Sequence, residues 1–181
     1  MKARLKDVIE SLIFISLEPL SQERIQGILT EFSNKEIELA IQELITSYAS
    51  NERGIQITQA AGGYFFSTKS EYDIWIKRLL KVEKKNKLSP ASLETLSIIA
   101  YNQPITLAEI SALRGVDTSH SLRTLLLKKL IKIVGRKKSP GKPLIYRTSD
   151  KFLTYFGLNT IKDIPSQEEI SKILGEEKDA G

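Results

Sequence analysis

Apolar residues between positions 5 and 17, LKDVIESLIFISL, recur at helical spacing, and Glu18 and Pro19 end the run. Ile25, Ile28 and Leu29 after Ser21 predict a second helix. Ser33 and Glu36 form a capping-box pair, the serine accepting from the Glu36 amide while the glutamate reaches back. They open a third helix with Ile37, Ala40, Ile41, Leu44 and Ile45 on one stripe. The period then shortens: Ile55 and Ile57, the turn residues Gly62 and Gly63, and Tyr64 to Thr68 predict a β-hairpin. A last helix, from about Glu71 to Leu80, carries Tyr72, Trp75, Ile76 and Leu79.

The same order returns after the lysine-rich stretch KVEKKNKL. Ser89 as cap and Pro90 at the first helical position open a helix to about Asn102. Thr106 and Glu109 make a second capping box, and the helix they start ends at Gly115, whose missing Cβ suits a left-handed turn. Asp117 is the expected cap of a helix with Leu122, Leu125, Leu126 and Leu130 facing inward. Ile131 to Arg136 and Leu144 to Thr148 flank KKSPGKP as a second hairpin, and DKFLTYFGL closes the unit at Gly157.

Three helices, a hairpin and a closing helix, used twice, predict a mainly α protein with small β-hairpins, built as two tandem winged-helix domains. Phe66, Thr68, Tyr72 and Trp75 recur eighty positions on as Tyr146, Thr148, Phe152 and Tyr155. Pro19-Leu20-Ser21 and Pro104-Ile105-Thr106 also match. Proline biases its predecessor toward extended backbone and, lacking a donor, suits a sheet edge, so each step predicts a short strand between helices one and two, beside the hairpin. An ordinary helix break is the competing reading at either site alone. The expected boundaries are residues 1–80, a basic linker at 81–88, a second domain at 89–165 and a flexible acidic tail at 166–181.

Charge adds a polarity. The overall +5 divides into 9 basic and 11 acidic side chains over residues 1–80, but 12 basic and 5 acidic over 89–165, with a tail of net −3. The second half favours a polyanion or an acidic protein surface; the first does not by charge alone. No apolar run approaches the roughly 18 residues of a membrane span, and Asp7 and Glu10 sit where a signal peptide needs an apolar core, so a cytoplasmic protein is expected. No cysteine and a single histidine, His120, rule out disulfides, thiolate sites and a multi-histidine site within one chain.

Candidate chemistry is sparse. GRKKSPGKP, residues 135 to 143, has five residues between its glycines where a phosphate loop has four, has Pro143 where the hydroxyl belongs, and leads into a strand. His120 has Ser119 and Ser121 beside it, but adjacent helical residues do not face each other. No catalytic residue, metal or cofactor is expected, and no enzyme. A winged-helix DNA-binding transcriptional regulator is the alternative. Against it, the first unit's third helix presents Lys35 among Glu36, Glu38 and Glu43, and the second unit's begins without an arginine placed for guanine. Arg136, Lys137, Lys138 and Lys142 on the second hairpin are candidates for nonspecific DNA contact or simply a solubilising loop. Leu12 to Leu17 and Tyr64 to Phe66 carry more apolar surface than one small core consumes, to be covered by a partner or by the rest of the domain.

The motifs LSPASLETLSIIAYNQPITLAEISALRGVD and LRTLLLKKLIKIVGRKKSPGKPLIYRTSDKFLTYFGL, within residues 88–165, resemble the second domain of segregation and condensation protein B, a non-enzymatic subunit of the bacterial SMC chromosome complex. The first half is similar mainly in length and pattern. The resemblance implies a chain that dimerises through its first domain, binds the middle of the kleisin subunit, segregation and condensation protein A, and through it meets the SMC ATPase on the nucleoid. Contact with DNA would be indirect or weak. Phe14, Tyr64, Phe65 and Phe66 are the dimerisation candidates. For the kleisin they are Tyr101, Ile105, Arg114 and Arg123, around a groove of the second domain's first helix, its short strand and its third helix. Ser92 and Ser97 stand where alanine is common in the family, and Lys142 where arginine is, which removes bidentate geometry there.

Overall fold

A computed structural model describes residues 4–50, 52–80, 88–166 and 169. The first unit contains α1 (Leu5–Ile15), α2 (Gln22–Ile28), α3 (Asn34–Ala49), β1 (Ile55–Ala60), β2 (Gly63–Thr68) and α4 (Asp73–Leu79). The second contains α5 (Pro90–Asn102), β3 (Ile105–Thr106), α6 (Leu107–Arg114), α7 (Ser119–Leu127), β4 (Ile131–Arg136), β5 (Leu144–Thr148) and α8 (Asp150–Phe156). Both are winged helices, each around its own apolar cluster. Ile9, Ile13, Ile25, Ile37, Ile41 and Leu44 centre the first, and Leu96, Ile99, Ile110, Leu125 and Leu130 the second. Burying each such side chain stabilises by about 1.5 to 3 kcal/mol before the entropy of ordering is subtracted.

Local chemistry starts the helices where expected. Ser33 and Glu36 exchange both capping bonds, and so do Thr106 and Glu109. Ser21, Ser89 and Ser149 each accept from an amide of the following first turn. Gly115 and Gly157 end α6 and α8 in the left-handed conformation.

The expected pairing beside the hairpin exists in both units, as a single bridge in the first and a two-residue strand in the second. Leu20 and Tyr64 exchange backbone bonds of 2.9 and 3.0 Å. In the second unit β3 pairs antiparallel with β5, making a sheet of order β3-β5-β4. Gln103 reinforces that corner, its Oε1 accepting from the Thr148 amide at 2.8 Å and hydroxyl at 3.0 Å. The hairpins keep the eighty-residue repeat only in their second strands: Ile57 faces Phe66 as Ile133 faces Tyr146, and the longer second turn takes up the shift of the first strand. The short strand does not: it meets the hairpin at Tyr64 in one unit and Tyr146 in the other, a slide of two residues. A two-residue step leaves each side chain on its original face, so both cores tolerate it.

Several local expectations are corrected. α1 stops at Ile15 rather than Leu17, where Ser16 turns extended and its hydroxyl donates to the Leu12 carbonyl. The first hairpin turns on Ala61 and Gly62, both with positive φ as a two-residue turn requires, and not on Gly62 and Gly63. Gly63 serves another purpose: a Cβ there would lie 2.6 Å from the Pro19 carbonyl carbon, so only glycine lets the short strand approach. A 3-10 turn over Ser70–Tyr72 precedes α4. Thr118, not Asp117, occupies the cap position of α7, because the Asp117 carboxylate is drawn into a turn with the Ser119 amide and hydroxyl. Val134 is an extra residue in β4, between the Ile133–Tyr146 and Gly135–Ile145 pairs. Leu88, assigned by the sequence to the linker, is buried in the second core. The rest of that linker and nearly all of the acidic tail lie outside the described residues.

Candidate partner-binding surfaces

The structure divides the residues expected at the dimer surface. Phe14 is 72% exposed, with Ile15 and Leu17 also exposed beside it at the end of α1. Its ring meets Phe66 edge-on, with centroids 6.1 Å apart, and Phe66 in turn packs on Tyr48 at 4.9 Å. Phe65 is half-buried. Tyr64 is corrected: at 7% exposure it belongs to the core of its own unit, and burial pushes its hydroxyl pKa up. The free apolar surface is therefore Phe14, Ile15, Leu17 and the outer parts of Phe65 and Phe66.

In the second unit, Leu93, Ser97 and Tyr101 stand at i, i+4 and i+8 on the exposed stripe of α5. Two hollows flank that stripe. One, of about 320 Å³, is walled by Phe152 and Phe156 of α8 and by the segment Leu158, Ile164 and Pro165. The other, wider and shallower, is bounded by Ile98, Leu113 and Arg114. Tyr101, 46% exposed, donates its hydroxyl to the Pro165 carbonyl at 2.6 Å, holding the chain against the first hollow. The stripe was readable from spacing; the α8 wall and the returning segment required the fold.

The four residues expected around a kleisin groove part company. Ile105 is corrected to a core residue at 4% exposure, because β3 is covered by the helices on one side and pairs with β5 at its edge. Arg114 is largely buried, spanning Glu94 at 2.6 Å and the Thr95 hydroxyl at 3.3 Å, and so ties α6 to α5. Arg123 is exposed on α7 and lines neither hollow. Tyr101 lines the first hollow and Arg114 the second.

On the second hairpin, the Arg136 guanidinium donates to the Lys142 carbonyl at 3.1 Å, and Lys137 meets Glu109 at 2.6 Å. Lys138 and Lys142 are exposed. Glu109 has its pKa lowered from 4.5 to about 2, first by the Lys137 bond and then by the Thr106 amide and hydroxyl. A carboxylate with a depressed folded-state pKa contributes stability above its unfolded value. That contribution fades from about pH 4.5 downward and is lost as pH falls through about 2. A carbon-detected titration should find the Glu109 midpoint near 2, and Lys137→Met should raise it; an unmoved midpoint would mean that the wing is not tethered by this pair.

Among the described residues no group of three His, Cys, Asp or Glu is placed to hold a metal ion, and no helix is long and apolar enough to cross a membrane.

Comparison with known proteins places this arrangement. The family described as segregation and condensation complex subunit ScpB matches residues 7–167. Segregation and condensation protein B of Clostridium tetani is 41% identical over 174 residues, covering 96% of this chain and 92% of that protein. Among solved structures, ScpB from Mycobacterium tuberculosis is 30% identical over 85% of this chain and 95% of its own, with a TM-score of 0.42. A dimer of an ScpB N-terminal domain complexed with ScpA peptide is 33% identical over 43% of this chain and 93% of that one, with a TM-score of 0.40. The family match spans both winged helices and both candidate surfaces, and the chain belongs to the ScpB family of segregation and condensation complex subunits.

Proposed function

We propose that this protein is a non-enzymatic scaffold of the bacterial SMC condensin, a homodimer that binds the kleisin subunit and so supports chromosome condensation and segregation on the cytoplasmic nucleoid. The observation that carries the reading, beside family membership, is the pair of apolar faces left open on the two units. An amphipathic helix laid along α5 would place its apolar residues against Leu93, Tyr101 and Leu113. Acidic side chains on that helix would be oriented by a unit of 12 basic and 5 acidic residues, to which Arg123, exposed on α7 outside both hollows, adds its charge. The link to the SMC ATPase then runs through the kleisin.

DNA contact is weak or indirect in this reading. Glu36, Glu38 and Glu43 are exposed on α3, where phosphates would be repelled, and Lys137 on the wing already has a carboxylate partner. Lys138, Lys142 and Arg136 remain as phosphate contacts without sequence preference.

Calorimetry with the kleisin's central segment tests the proposal. Tyr101→Ala and Arg123→Glu should each weaken binding about 5- to 150-fold, equivalent to roughly 1 to 3 kcal/mol, with circular dichroism unchanged. If both folded variants bind as tightly as the parent, the site is misplaced. Sequence-selective binding of duplex DNA at physiological salt, without kleisin binding, would support the regulator instead.

A further inference from the structure

We infer that the outer edge of β1 is an interaction surface, and that its occupant is the β1 edge of a second copy of this chain. The hairpin sets which backbone groups face outward. Its two-residue turn makes Ala60 and Gly63 the closing hydrogen-bonded pair, and such pairs alternate along an antiparallel ladder. Gln59, Ile57 and Ile55 therefore fall at non-hydrogen-bonded positions, with their amides and carbonyls directed away from β2. The other strand obeys the same alternation, since Tyr64, opposite Gln59, turns its amide and carbonyl to Leu20. Among the described residues no backbone group pairs with the outer edge of β1 at Ile55, Ile57 or Gln59. Ala61, next along that edge, donates to the Leu158 carbonyl at 2.8 Å, so residues 55–59 are what a visiting strand has to pair with.

This edge lacks the usual protection. Exposed sheet edges are blunted with charge, proline or a bulge, because their free backbone groups invite another strand. β1, IQITQA, has none of these: its register with β2 runs unbroken from Ile55 to Ala60, and Ile55 is 40% exposed. The matching strand of the second unit is guarded, since β4 carries Lys132 and Arg136 and has the extra residue Val134. Composition also selects the occupant. A two-fold axis pairs the β1 strands of two copies antiparallel, so that the strand meets only itself. Its uncharged residues meet without repulsion, whereas two β4 edges would set their cations together. A charged extended segment would find no ion pair on β1. The product is a four-stranded sheet running through both first units and held by main-chain bonds.

This pairing rests on the homodimer reading and gives that dimer a contact distinct from Phe14. In the full-length protein, residue-resolved amide exchange should show the Ile57 and Gln59 amides slowing about tenfold or more as concentration rises through the dimer's dissociation constant. The Thr58 amide, bonded within the hairpin, should change little. Gln59 is exposed, and Gln59→Pro removes an outward donor but no hairpin bond, at an edge position that tolerates proline. It should keep the parent's circular dichroism and raise the dissociation constant about tenfold or more, since each dimer loses two bonds. Gln59→Ala keeps the amide and should dimerise as the parent does. A dimer whose Ile57 and Gln59 amides exchange as fast as in dilute protein would overturn the pairing and leave the homodimer reading standing, whereas a parent that stays monomeric would overturn both. Protection that does not depend on concentration would also overturn it, by assigning the edge to this chain's own residues.

Discussion

Gly63→Ala should destabilise the first winged-helix unit by about 2 to 3 kcal/mol, in the range of overpacking a closed site. The added Cβ meets backbone on the facing strand, 2.6 Å from the Pro19 carbonyl carbon and 2.8 Å from the Leu20 nitrogen. Backbone cannot swing aside as the end of a long side chain can, so the Leu20–Tyr64 bridge must open. In thermal unfolding of the full protein the first unit's midpoint should drop by roughly 10 to 20 °C. Two neighbours separate this cause from loss of glycine freedom. Gly62→Ala places its Cβ in open space but at φ +72°, and should cost only about 1 kcal/mol. Gly27→Ala, inside α2 with nothing within 4 Å, should stabilise by about 0.5 to 1 kcal/mol. If Gly63→Ala costs no more than Gly62→Ala, the strands do not approach as described.

Phe14→Arg should convert the proposed homodimer to a monomer at micromolar concentration in sedimentation. Phe14 is exposed beside Ile15 and Leu17 at the end of α1, and its ring already leans on Phe66, so arginine would bring a charge onto the surface to be buried. A two-fold interface contains every residue twice. A hot spot worth about 2 kcal/mol per copy therefore raises the dissociation constant on the order of a thousandfold. Tyr64→Phe is the control: its ring lies inside the unit, and the dimer should survive. A parent protein that sediments as a monomer, or a variant that dimerises equally, would count against this surface.

Residues that act on near neighbours were readable in the chain. Ser33 with Glu36 and Thr106 with Glu109 work within one turn, and the glycines after α6 and α8 answer to φ alone. The prolines at 19 and 104 were readable because they recur in equivalent places. What stayed hidden depends on partners far along the chain. Gly63 looked like a turn residue because Pro19, against which it packs, is 44 positions away. Lys137 looked like a free cation because Glu109 lies 28 positions before it. Ile105 was placed at a surface because a two-residue strand has no period from which to read its buried side, and Tyr64 because the unbroken aromatic run Tyr64 to Phe66 shows no alternation. The hollow beside α5 was invisible for the same reason: α8 and the segment ending at Pro165 reach it only through the fold.

The short strand in each unit also sets an order in time. Helices form from contacts a few residues apart, whereas Leu20 must find Tyr64 and Ile105 must find Tyr146, separations of 44 and 41 positions. Closing such loops costs entropy before the pairing returns any free energy, so the sheet should assemble after the helices in each unit. During synthesis the first unit has all of its strands once Thr68 has emerged, while none of the second unit's hairpin yet exists. A nascent chain that has emerged only as far as Gly115 would thus present a closed first unit and a half-made second one, whose Ile99 and Ile110 have no β5 to shelter them.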